Sequence, residues 1–76
     1  MNLTLKVEVD PGTDIEYALV EACMLASHIK CSINFNFNGV EICVLPNYKV
    51  DIDKRIKDGE IKYHKVLKEN YKFMVI

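Results

Sequence analysis

The dipeptide Asn38-Gly39 constrains this chain more than any other pair of residues. Both residue types accept positive φ, which a two-residue type I′ hairpin turn requires at both central positions. Before it, Cys31, Ile33, Phe35 and Phe37 alternate with Ser32, Asn34 and Asn36; after it, Val40, Ile42 and Val44 alternate with Glu41 and Cys43. A period of two marks strands with one apolar and one polar face. The spacing therefore predicts a β-hairpin over 31–44, ended by Pro46-Asn47, whose apolar face needs a cover.

The preceding residues supply that cover. Leu3, Leu5, Val7 and Val9 alternate with Thr4, Lys6, Glu8 and Asp10, a first strand that Pro11-Gly12 stops. Thr13-Asp14-Ile15-Glu16 has the spacing of a capping box, in which Thr13 accepts from the Glu16 amide and the Glu16 carboxylate reaches back. A helix is expected from Asp14 to Lys30, so residues 1–47 read as a β-α-β-β core with the helix across one face of the sheet.

Residues 48–76 are harder to read. Asp51 and Asp53 suit a helix start, Ile52 and Ile56 fit one turn, and Asp58-Gly59 is expected to break the pattern. Tyr63, Val66 and Leu67 fit a helix face within 60–70, followed by a short terminal strand; a hairpin through Lys68-Glu69-Asn70 fits the same letters. With 76 residues, half of them hydrophobic, the chain reads as a single α+β domain, 1–76, in which 48–76 forms a basic C-terminal segment.

At about 100° per residue, the helix gathers Ile15, Ala18, Leu19, Ala22, Leu25, Ala26 and Ile29 on the face turned to the sheet. Tyr17, Val20 and Met24 form a second apolar stripe almost opposite. One helix on a three-stranded sheet cannot bury both. The second stripe therefore needs the chain's own C-terminal segment, a second copy of the chain, or another protein, and Tyr17, Val20 and Met24 are the expected interface.

Asn34 and Asn36, with Lys6, lie on the polar sheet face, where they could read the donors and acceptors of a nucleotide. Lys62, Lys65 and Lys68 belong to a half carrying eight basic residues against five acids, while residues 1–47 carry two lysines against six acids. That balance falls short of a dedicated nucleic-acid domain, and Phe35 and Phe37 point to the apolar face, where they cannot stack bases. Cys23, Cys31 and Cys43 are an odd number without CxxC spacing. This pattern fits a reducing compartment and gives no metal or cofactor site. Nothing in Met1–Asp10 resembles a signal peptide and no apolar run is long enough to span a membrane, so a cytoplasmic location is expected. No nucleophile–base or carboxylate constellation is legible, so a non-enzymatic protein is expected.

Pro11-Gly12-Thr13-Asp14-Ile15-Glu16, the alanine-rich helix, Cys31, and Phe35-Asn36-Phe37-Asn38-Gly39-Val40-Glu41-Ile42 before Pro46-Asn47 together resemble small accessory proteins encoded by tailed phages. The resemblance covers residues 9–47 and carries over no functional residues. It implies a protein that acts by binding in the host cytoplasm, as an inhibitor of a host component such as a defence system or by sequestering a nucleotide signal; the second apolar helix stripe adds the expectation of a homo-oligomer.

Overall fold

The computed structural model describes residues 3–46 and 51–76. Its elements are β1 (Thr4–Lys6), α1 (Ile15–Ile29), β2 (Ser32–Phe37), β3 (Val40–Val44), α2 (Ile52–Lys68) and β4 (Phe73–Val75). The four strands form one sheet in the order β1-β2-β3-β4, parallel between β1 and β2, antiparallel between β2 and β3, and parallel between β3 and β4. This is a small α+β fold, with both helices packed against each other on one face of the sheet.

The hairpin forms as its letters require. Asn38 and Gly39 take φ of 51° and 85°, and Asn36 Oδ1 accepts from the Gly39 amide at 3.1 Å. The register sets Ile33 against Val44, Phe35 against Ile42 and Phe37 against Val40, so all six face the helices.

The first strand is shorter than its alternation predicts. Only Thr4–Lys6 pairs with β2, extended by the Val7 amide donating to the Asn34 carbonyl at 2.9 Å. The expected Thr13–Glu16 capping box does not form. The Thr13 amide donates to the Asp10 carbonyl in a turn, and Asp14 becomes the N-cap, with no side-chain cap bond. Three residues beyond Asp14 stands Tyr17, which cannot reach back as a glutamate would. At the other end Lys30 turns left-handed, φ 57°, and its amide and that of Cys31 both donate to the Ala26 carbonyl.

The expected break at Asp58-Gly59 is also absent. Asp51 caps α2 by accepting from the Asp53 amide at 2.9 Å, and the helix runs unbroken to Lys68. Gly59 is buried, and a Cβ built on it would lie 3.2 Å from both Leu19 Cδ1 and Ile76 Cδ1. The glycine allows α2 to approach α1 and the end of β4. Gly59→Ala is expected to stay within about 1 kcal/mol of wild type, because the helix gains about as much as the crowding of two side-chain tips costs. Gly59→Val has no such compensation and is expected to lose about 2–3 kcal/mol in urea denaturation. Equal stability of the two variants would contradict this account.

The two crossovers advance in the same sense across the sheet. β1-α1-β2 goes from edge to centre and β3-α2-β4 from centre to edge, with strands of opposite direction and both helices on the same face. The connections therefore differ in hand, and one is left-handed, against a preference for right-handed crossovers of roughly 98%. Among the described residues, no helix is long and apolar enough to cross a membrane.

Candidate protein-binding surface

Two helices side by side span about four strands, but here they are not centred on the sheet. α1 packs chiefly on β2 and β3, and α2 lies beside it, reaching β4. The helix side of β1 is left without a roof. Leu5 stands opposite the fully buried Ile33, yet it is 46% exposed, and Leu3 is 61% exposed.

Between the segment that follows β1 and the outer flank of α1 lies an open groove of roughly 950 Å³. Val7 and Val9 line one side and Tyr17, Glu21, Met24 and His28 the other. The α1 residues come together because positions 17, 21, 24 and 28 repeat at the three- and four-residue spacing of one helix stripe. Tyr17 is 59% and Met24 57% exposed. The Glu21 carboxylate one helical turn on, as a hydrogen-bond acceptor for the Tyr17 hydroxyl and as a negative charge, raises the tyrosine pKa above its ordinary value. Acidic Glu8 and Asp10 stand on the strand side, so the groove combines an apolar lining with negative charge.

The expected interface stripe is thus divided. Tyr17 and Met24 stay on the surface, while Val20 is half-buried against the core. The C-terminal segment does not cover the stripe: α2 meets α1 through Gly59 and Leu19, on the other flank. The core arc also shifts. Ala18, Leu19, Ala22, Cys23 and Ala26 are buried, whereas Leu25 and Ile29 are exposed. Leu25 also lines the groove. Its lost burial, and that of Leu3 and Leu5, was not legible, because periodicity shows which face is apolar and not whether a neighbour reaches it.

The remaining candidates are scattered. Lys6 and Asn34 are register partners on the open sheet face, where Lys6 Nζ approaches Glu41 Oε1 at 4.0 Å. Asn34 Oδ1 is buried without a hydrogen-bond partner, while Asn36 is engaged in the hairpin turn. Lys62 Nζ donates to the Val75 carbonyl at 2.8 Å, and Lys65 and Lys68 are exposed on α2. Cys23 is buried in α1, and desolvation raises its thiol pKa against the opposing charge of Arg55. Cys43, on the open sheet face, is raised by desolvation and by Glu41. Among the described residues, no three His, Cys, Asp or Glu side chains form a metal-holding group.

Comparison with known proteins adds no relative. A scan against protein-family models, a search of curated proteins and a search of solved structures each found no match. An apolar helix flank, an uncovered edge strand and a carboxylate rim offer contact area and charge.

Proposed function

We propose that this chain is a non-catalytic binding protein that engages another protein through the groove beside α1. The observation carrying the reading is that Tyr17 and Met24 lie exposed on one helix flank and, with Val7 and Val9, line the open groove beside α1. Large, contiguous apolar side chains rimmed by charge are typical of interaction surfaces. Tyrosine and methionine are also among the residues enriched at such contacts. The resemblance of residues 9–47 to tailed-phage accessory proteins supports a host protein as target and an inhibitory outcome. The acidic rim, with Asp10 and Glu21, favours a target segment that is apolar and basic.

A photo-reactive benzoylphenylalanine placed at Tyr17 tests the surface in living cells. Irradiation is expected to yield an adduct whose added mass is not that of a second copy of the chain, and Met24→Asp in the same chain should remove it. The same photo-residue at Lys57, exposed on α2, is expected to give none. Equal labelling from both positions, or no adduct at Tyr17, would refute the assignment.

A further inference from the structure

We propose that the outer edge of β1 seats a second copy of this chain, the two β1 edges pairing antiparallel about a two-fold axis at Val7. The inference deepens the binding role of the groove and rests on that reading for the use of the resulting cleft. The pairing itself stands on three observations of its own.

The first is a mismatch between pattern and pairing. Leu3–Val9 alternates over its whole length like a half-buried strand, but only Thr4–Lys6 enters the ladder, and Leu3 and Leu5 stay exposed. The second is the direction of the backbone groups. Lys6 is the register partner of Asn34, and the Val7 amide bonds to the Asn34 carbonyl. In a parallel ladder this turns the groups of odd-numbered residues toward β2 and those of Thr4 and Lys6 toward the free edge, a pattern that Glu8 would continue once a partner strand extends the ladder. Among the described residues no strand lies beyond that edge. An open edge of this kind is a template for another strand.

The third observation is charge, which selects the register. Outward groups meet outward groups only where even-numbered residues oppose even-numbered ones, and this also keeps the apolar residues of both copies on the helix side. Centred on Leu5, such a pairing sets Thr4 against Lys6. Centred on Lys6, it sets that lysine against its own copy, a repulsive arrangement. Centred on Val7, it sets Lys6 of each copy against Glu8 of the other, twice by symmetry, and Leu5 against Val9. A self-complementary patch of this kind is what a two-fold dimer demands.

The groove is incomplete without the second copy. Strands lie about 4.8 Å apart, so with α1 over β2 or beyond, the two α1 axes stand at least about 14 Å apart across the axis. Packed helices need only about 8–10 Å. The space between them is thus a cleft, floored by Leu3, Leu5 and Val7 of both copies and walled by Tyr17 and Met24 of both.

Sedimentation equilibrium of the full chain, from low to high micromolar concentration at low salt, tests the pairing through exposed residues. The wild type is expected to dimerise. Lys6→Glu and Glu8→Lys are each expected to weaken the dimer about tenfold, because two attractive cross-strand pairs become repulsive. An equimolar mixture of the two single variants should recover wild-type affinity, and so should the double variant Lys6→Glu/Glu8→Lys. A chain that stays monomeric overturns the proposal, as does a dimer indifferent to both single changes. Loss in the single variants without recovery in the mixture and the double variant overturns it too. Failure here leaves the Tyr17 adduct intact, and loss of that adduct leaves the dimer intact, so the two readings fail separately.

Discussion

Arg55→Ala is expected to lower the unfolding free energy by about 3 kcal/mol, a large share of what a chain of this size possesses. The side chain is 7% exposed and leaves the first turn of α2 beneath the ends of two strands. Its Nη2 donates to the Leu45 carbonyl at 2.6 Å and the Ile76 carbonyl at 3.3 Å. The same strand ends are tied by Leu45 N to Ile76 O at 2.8 Å and Ile76 N to Cys43 O at 2.9 Å. A hydrogen bond from a charged donor contributes about 1.5–3 kcal/mol, and a buried carbonyl left without its donor adds a penalty. Arg55→Met retains much of the apolar stem and is expected to lose less, about 2 kcal/mol. Urea titrations of both variants measure the difference, with the slope against denaturant unchanged. A loss under 1 kcal/mol for the alanine variant would show that the arginine does not hold β3 and β4 together.

Phe35→Ala carries the largest expected effect. The ring is fully buried on a central strand of the sheet, opposite Ile42 and beneath α1. Truncating such a phenylalanine costs about 3–5 kcal/mol, the lost transfer energy plus the cavity left behind. A domain of 76 residues has about 4–11 kcal/mol in total, so this variant is expected to be largely or wholly unfolded at physiological temperature. Phe35→Leu keeps most of the volume and is expected to fold with a loss near 1.5 kcal/mol. Far-ultraviolet dichroism on heating separates the two. A cooperative, near-native melt for Phe35→Ala would mean that the core is not organised around this ring.

These substitutions also show why some features could be read from the letters and others could not. The hairpin at Asn38-Gly39 and the Asp51 cap depend on backbone torsions and short-range bonds, so a few residues contain the whole cause. The capping box at Thr13 failed because a neighbouring turn claimed that residue's amide. Gly59 was misread as a breaker because its reason lies in Leu19 and Ile76, far away in sequence. Arg55 counted only as one of several basic residues, since nothing adjacent to it reveals that two strand ends converge upon its guanidinium. The candidate surface was half legible: the wheel identified Tyr17 and Met24, but the bare Leu3 and Leu5 depend on where the helices settle.

The sequence alone determined the β2–β3 hairpin, the helix α1 and which side of the hairpin is apolar, because periodicity and turn chemistry act within a few residues. Tertiary structure alone decided that α2 joins α1 on the same face, that β4 runs parallel to β3, and that β1 is left uncovered. Those outcomes follow from how closely two helices can approach and how many strands they can roof, quantities set by distant side chains meeting in space.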